Sequence, residues 1–193
     1  MDETWVQAAL SLSAGIALAA ATGLRVFLPL LILGLAARSG WLPLVDGFAW
    51  IRSDVGLVVL TTATIAEIGA YYIPWLDNAL DLMAGPLAVL AGIVMVASVT
   101  TELPPAVRWT LAIVAGGGAA ALVQSLTTVG RLKSTALTGG LGNPVLATVE
   151  LGGALVLSLI AVVLPVVAVV LAFLLIFVVI RASRRLITRS RYA

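Results

Sequence analysis

Residues 64–83 read TIAEIGAYYIPWLDNALDLM and decide how the rest of the chain is interpreted. The stretch carries one carboxylate, Glu67, near the end of an apolar helix. Pro74 ends that helix, because proline has no N–H to donate and its ring clashes with the preceding turn. Asp77 and Asp81 follow on a short amphipathic segment. An ionisable residue inside a membrane helix costs about 2.5–3.5 kcal/mol on insertion scales, so Glu67 requires a physical explanation.

The composition places the chain in a membrane. Of the 193 residues, 62% are hydrophobic and 10% are charged, whereas soluble domains carry about 25% charged residues. The mean hydropathy is +1.17. A water-soluble core cannot absorb this much apolar surface, so the solvent is lipid. We therefore predict an all-α fold, a polytopic transmembrane helical bundle in which residues 1–193 form a single domain.

The apolar runs predict about seven spans. They cover residues 5–21, 26–37, 55–72, 86–100, 107–128, 145–164 and 166–181. The second run has only 12 residues, about 18 Å of helix against a hydrocarbon layer of about 30 Å. If the first two runs form one broken helix, the total is six. Seven spans allow a 3+1+3 arrangement of parallel repeats, as in some transporters. Residues 130–143, the longest polar interval, are expected to form a loop.

The charges predict the orientation. Five arginines lie between residues 181 and 191, and the positive-inside rule places this basic tail, residues 182–193, in the cytoplasm. Counting back through seven spans places Arg131, Lys133 and Arg25 on the same side. The chain has no basic folded face with interleaved aromatic residues, so nucleic acid is not an expected partner.

Glu67 and Glu150 are the strongest candidate site residues. Each lies about 9 Å from the cytoplasmic end of its predicted helix, at 1.5 Å per residue, with Arg25 at a similar level. The functional interpretation is a polar vestibule that binds a cation or a proton-coupled solute. The alternative is that Arg25 neutralises each glutamate, or that backbone groups cap it, so that the acids fix the helix register.

Three further residues are weaker candidates. Asp77 and Asp81 are four residues apart on one helix face and could offer oxygen ligands to a hard cation of unknown identity, although such a face is often simply solvated. Asn143, with Pro144 after it, could direct helix N-terminal N–H groups toward an anion or simply cap its helix.

The residue types do not indicate an enzyme. The chain contains no cysteine and no histidine, which excludes thiolate and imidazole metal sites and the usual proton-shuttling side chain. No serine or threonine has an obvious base nearby, so a catalytic triad has no basis. We expect neither catalysis nor a cofactor.

Three ordered motifs resemble a known family. They are GLRVFLPLL at 23–31, which continues to GLAAR at 34–38, then Glu67 with IPWLD at 73–77 and Asp81, and finally Ser134-Thr135 with GNPVL at 142–146 and Glu150. They are similar to the bacterial integral-membrane family catalogued as domain of unknown function 4126. The resemblance covers nearly the whole chain and implies a multi-helix membrane protein without implying any chemistry.

The chain departs from that family at several charged positions. The resemblance predicts Asp-Lys where this chain has Tyr71-Tyr72, Arg in place of Gly85, and Asp in place of Leu151. Acids and bases are absent together. Losing both partners of a buried pair can be nearly neutral, whereas losing one is costly. This chain therefore looks like a member that has lost a charge network as a unit.

Two functions follow from these features. The first is a small transporter or channel in the bacterial inner (plasma) membrane, with a path for a small ion or solute past Glu67 and Glu150 and a vestibule on the cytoplasmic side. The second is a non-transporting scaffold or partner-binding subunit. Its Gly/Ala-rich helix faces, such as the stripe Gly15, Ala19 and Gly23, would then be seams for a homo-oligomer.

Overall fold

The fold is entirely helical over the part of the chain that the structure describes. The structure is a computed structural model that describes residues 3–70 and 73–190, without the side chains of residues 74–82, 179–180 and 182–190. The helices are α1 (Glu3–Thr22), α2 (Phe27–Arg38), α3 (Asp54–Ala70), α4 (Pro74–Val99), α5 (Pro105–Leu111), α6 (Gly118–Thr138), α7 (Asn143–Val163) and α8 (Pro165–Ser190). A 3₁₀ helix, Asp46–Arg52, precedes α3, and a π-helical segment, Ala112–Gly117, joins α5 to α6.

Helix α1 is the centre of the bundle, in contact with α4, α6, α7 and α8. Its second half is buried at residues 14–15 and 17–22. Most of these residues are alanine, and alanine and glycine let neighbouring helix backbones approach closely. Gly15 and Gly23 of the small-residue stripe pack against other helices of the same chain, because Gly15 lies against α4 and Gly23 against α6.

Helices α2 and α3 form an antiparallel hairpin beside this core. Arg38 at the end of α2 makes an exposed ion pair with Asp54 at the start of α3. Helix α3 then returns along α2, and Glu67 near its end accepts hydrogen bonds at the start of α2. The hairpin therefore carries one charged contact at each end.

Membrane embedding is supported by helix length and by the surface. Within the described ranges, three helical stretches are long and apolar enough to cross a membrane, namely α1, residues Pro105–Thr138 and α7; the 3₁₀ helix and α3, bent by 60°, make a fourth if they count as one span. The outer surface is apolar, with Val156, Leu159, Phe173 and Phe177 between 50 and 61% exposed. Helix α2 and the segments Met83–Val99 and Pro165–Val178 are apolar but shorter. Seven spans and the parallel repeat remain predictions.

Two boundaries predicted from the sequence were wrong. The amphipathic segment and the span at 86–100 form one helix, α4, with Pro86 inside it, since membrane helices tolerate a proline when neighbouring groups satisfy the freed carbonyl. The loop predicted at 130–143 is confined to residues 139–142, because α6 continues to Thr138. Thr138 bonds back to the carbonyl of Ser134 at 2.7 Å, and Gly139 ends the helix with a positive φ of 62°, which glycine adopts without strain.

The basic tail lies partly outside the description. The backbone of α8 continues as a helix to Ser190. Residues 191–193 and the side chains of 182–190 are outside the described part of the chain, as are Tyr71 and Tyr72.

Helix α4 crosses the π-helical segment closely at two glycines, Gly92 and Gly116. A Cβ atom built on Gly92 would lie 2.6 Å from the carbonyl oxygen of Gly116 and 2.6 Å from the Cβ of Ala120. Backbone atoms cannot move away as a flexible side chain can. Only glycine fits at this crossing, which holds α4 against the π-helical segment and α6.

We predict that Gly92→Ala lowers the free energy of unfolding by about 1–3 kcal/mol, because overpacking separates α4 from the π-helical segment. The matched control is Gly118→Ala, where a Cβ atom meets nothing within 4 Å and alanine favours a helix. Denaturant unfolding of the purified protein in detergent measures both variants. Equal stability of the two variants would contradict the close contact between Gly92 and the π-helical segment.

Candidate functional site: a buried arginine–glutamate cluster

Four charged side chains meet at one end of the bundle. They are Arg25 in the turn between α1 and α2, Glu67 on α3, Arg131 on α6 and Glu150 on α7, and we refer to them as the charge cluster. Their exposed fractions are 2, 7, 5 and 8%, so all four are buried. Charges removed from water require partners, because an isolated buried charge costs several kcal/mol.

Glu150 is the carboxylate at the centre of this arrangement. Arg131 donates to both of its oxygens, from Nε to Oε1 at 3.3 Å and from Nη2 to Oε2. Such a bidentate pair is among the strongest hydrogen-bonded arrangements in proteins. Arg25 Nη2 lies 3.6 Å from the same Oε2 atom. One carboxylate thus faces two guanidinium groups from different parts of the chain.

The side chain of Arg25 also binds the backbone of α7. Its Nη2 donates to the carbonyl oxygen of Ala147 at 2.6 Å. The turn that carries Arg25 is seated on α6, because a Cβ atom on Gly23 would lie 2.6 Å from the carbonyl oxygen of Ala120. Thr22 bonds to the carbonyl of Ala88 on α4 at 3.3 Å. These contacts position Arg25 between α6 and α7.

Glu67 caps the start of α2. Its Oε1 accepts from the N–H of Val26 at 2.8 Å and its Oε2 from the N–H of Phe27 at 3.1 Å. Val26 at the N-cap position provides no side-chain cap of its own, and a negative charge at a helix N-terminus is favourable. Arg25 and Arg131 also interact electrostatically with Glu67. The second acid is therefore also engaged within the protein.

The structure brings the two predicted glutamates and Arg25 together, and it assigns them partners that the sequence left open. Backbone amides cap Glu67, as one structural alternative predicted. Glu150 is bound mainly by Arg131, whereas the predicted partner, Arg25, lies 3.6 Å away. The main partner of Glu150, Arg131, was not among the candidate site residues because it was assigned to a loop. The sequence signal that could have indicated the cap is that Arg25-Val26-Phe27 contains none of the usual capping residues.

The remaining candidates lie elsewhere. Asn143 begins α7, and its Nδ2 donates to Thr135 Oγ1 on α6 at 3.1 Å, so it links the two helices across their short loop. Asp77 and Asp81 lie in the first two turns of α4, but their side chains are outside the described residues. Among the residues that are described, no three acids, histidines or cysteines form a metal site.

Two cavities in the described part of the protein are apolar and lie away from the cluster. One, of about 220 Å³, is lined by residues of α1, α6 and α8 that include Ala20, Ala119 and Phe173. The other, of about 270 Å³, lies between α2 and α7 beside Trp41. No charged residue lines either cavity, and neither is the polar vestibule that the sequence suggested.

A comparison with protein-family models identifies one match. The model described as "Domain of unknown function (DUF4126)" matches residues 12–185. This range contains all four residues of the charge cluster. No curated protein and no solved structure matches the chain.

The pair of Arg131 and Glu150 is predicted to be strongly coupled. Glu150→Leu and Arg131→Met should each destabilise the protein by about 3–5 kcal/mol, because each leaves a buried charge without its main partner. The double variant should cost less than the sum, with an interaction energy of about 1–3 kcal/mol. A double-mutant cycle on unfolding in detergent measures this energy.

The control for that cycle is the exposed pair of Arg38 and Asp54, whose side chains are 51% and 84% exposed. Exposed pairs contribute about 0.2–1 kcal/mol, so its interaction energy should be clearly smaller. Additive effects at Arg131 and Glu150 would contradict the pairing.

The cap at α2 gives a local prediction. Glu67→Gln retains one acceptor for two amides, so it should destabilise the start of α2 by about 0.5–2 kcal/mol. Hydrogen exchange should accelerate at Val26 and Phe27 and remain unchanged at the Arg38 end. Glu102→Gln is the matched control, because Glu102 accepts from Ser11 at 2.9 Å outside the cluster. Unchanged exchange at Val26 and Phe27 excludes the cap.

Proposed function

The chain belongs to the DUF4126 family, and we propose that it is a small membrane transporter in which the charge cluster is the gate at one end of the path. The observation that carries this proposal is the carboxylate of Glu150, buried between Arg131 on α6 and Arg25 in the α1–α2 turn. Ionisable residues at membrane depth are rare and commonly mark the paths of ions and solutes.

The charged partners lie on different parts of the chain, and this arrangement suits a gate. Packing alone could hold these helices together, and apolar residues at such positions are often as stable as a buried ion pair. An ion pair between two helices differs from apolar packing because it has discrete alternatives: each charge can exchange its partner for a solute or for water. Transporters alternate access by rocking such helices around a central site. In this proposal, the paired charge cluster corresponds to the closed state of that end.

The orientation follows from the basic residues. The cluster lies at the end of the bundle where α6 meets α7 and where α8 carries its arginines toward residue 190. Under the positive-inside rule this end faces the cytoplasm. The proposal accordingly includes seven crossings, a bacterial inner-membrane location and a cytoplasmic C-terminus. The transported species is a small ion or solute.

A second candidate function is a non-transporting scaffold or partner-binding subunit. Two observations favour it. Glu67 and Glu150 each bind groups of the protein itself, and the two cavities are apolar. A homo-oligomer would have to use small residues on the outside, such as the exposed Gly152 on α7, because Gly15 and Gly23 are already packed within the chain.

Flux measurements separate the two functions. Proteoliposomes should transport at least one of a panel of monovalent cations, divalent cations and small anions above the level of empty vesicles. Glu150→Gln removes the carboxylate that closes the gate, so flux down a gradient should rise by about tenfold, the effect of lowering a barrier by about 1.4 kcal/mol. Asp54→Asn, at the exposed pair, should behave as the unmodified protein. An absence of flux for the whole panel supports the scaffold. If Glu150→Gln and the unmodified protein give equal flux, the charge cluster is not the gate of the path.

A further inference from the structure

We propose that an anionic phospholipid binds along α6 and α8, with one acyl chain in the apolar cavity between α1, α6 and α8 and its headgroup at Lys133 and Arg181. The inference goes beyond the proposed function, because it concerns a surface outside the charge cluster and holds whether or not the protein transports a solute. It rests on the lining of the cavity, on its opening to the outer surface and on the position of the two cations.

The cavity has a closed floor and an open side. Ala20 on α1 and Ala172 on α8 form the floor and are buried, whereas Val114, Leu122 and Phe173 line the rim and are more than half exposed. The outer surface of the bundle is apolar, so this side opens into the hydrocarbon layer. The apolar lining and the volume of about 220 Å³ suit a hydrocarbon, since an engineered apolar cavity of about 150 Å³ stays dry and binds benzene.

The π-helical segment forms part of the cavity wall. Its Gly116 packs against Gly92 on α4, whereas Val114 and Ala115 of the same segment line the cavity. Single π turns inside α-helices are rare and are frequently found at functional sites. The segment therefore meets α4 on one side and contributes an apolar wall to the cavity on the other.

Lys133 lies on the same face of α6 as the cavity. It follows Leu122 by 11 residues, which is three helical turns to within about 20° at 3.6 residues per turn. The same interval rises about 16 Å along the helix axis, close to half of a hydrocarbon layer of about 30 Å. A phospholipid with one chain in the cavity therefore has its headgroup at the level of Lys133.

The charges favour an anionic headgroup. The side chains of Lys133 and Arg181 are exposed, and the ion pairs among the described residues include neither of them. Arg181 follows Ile176, which lines the cavity on α8, by five residues, and long basic side chains extend toward the membrane interface. Each basic residue near the surface strengthens the binding of anionic lipid by about fivefold.

Lipid binding to the purified full-length protein in detergent tests the headgroup site. The probes are dioleoyl phosphatidylglycerol and dioleoyl phosphatidylcholine, which share their acyl chains and differ in charge, with affinities measured by native mass spectrometry. The unmodified protein should prefer phosphatidylglycerol. Lys133→Gln should weaken phosphatidylglycerol binding by about fivefold and leave phosphatidylcholine unchanged. Arg52→Gln, at an exposed arginine before α3, is the control and should match the unmodified protein.

Filling the cavity tests the acyl-chain site. Ala119→Leu occupies part of the space, so both lipids should bind about tenfold more weakly, as expected when about two methylene groups lose their burial. Ala36→Leu fills the other apolar cavity and should leave both affinities unchanged. If Ala119→Leu does not fold, Phe173→Ala removes part of the rim and should weaken both lipids in the same way.

Several results would overturn the inference. They are equal affinities of the unmodified protein for the two lipids, equal effects of Ala119→Leu and Ala36→Leu, and displacement of the lipid by inorganic phosphate with no effect of Ala119→Leu. A dimer of the unmodified protein that binds no phospholipid and is lost in Ala119→Leu assigns the cavity to a second copy instead. None of these measurements depends on flux, so a failure of the lipid site is distinguishable from a failure of the proposed transport.

Discussion

The contact between Arg131 and Glu150 is the interaction on which the charged end of this protein depends. In a low-dielectric interior a charge without its partner is costly, and breaking such a pair costs about 3–5 kcal/mol. The pair lies between α6 and α7, so it fixes the register of two long helices. Arg25 adds the turn between α1 and α2, because its Nη2 atom lies 3.6 Å from the same carboxylate. A single carboxylate thus joins three parts of the chain.

The rest of the fold allows this convergence. Helix α1 is almost entirely small residues over its buried half, so α4, α6, α7 and α8 can all approach it. The short helix α2 begins where Glu67 can cap it, and this places the acid on α3 beside Arg25. Small residues at the centre and charges at one end are complementary, because close helix packing excludes the water that would otherwise screen the cluster.

Helix content and the convergence of charges could be predicted from the sequence, whereas the partners could not. The depth of Glu67 and Glu150 follows from a fixed rise per residue and from nearby helix ends. Arg131 was assigned to a loop because residues 130–143 are the longest polar interval of the chain, and tertiary contacts override such local patterns. Pro86 was taken as a helix start because an apolar run begins there, although α4 continues through it. Long-range pairing decides these positions, and it leaves no local pattern.

Reactivity of a cysteine placed at position 147 tests the central claim most directly. The chain has no cysteine, so Ala147→Cys gives a single thiol on α7 at a residue that is 2% exposed and bonded through its carbonyl to Arg25. If the charge cluster holds this end closed, a polar maleimide reacts slowly with the otherwise unmodified protein in nanodiscs. The added substitution Glu150→Gln should then increase the labelling rate by about tenfold or more, as expected for an opening made easier by about 1.4 kcal/mol. Equal labelling rates with and without Glu150 would contradict the account.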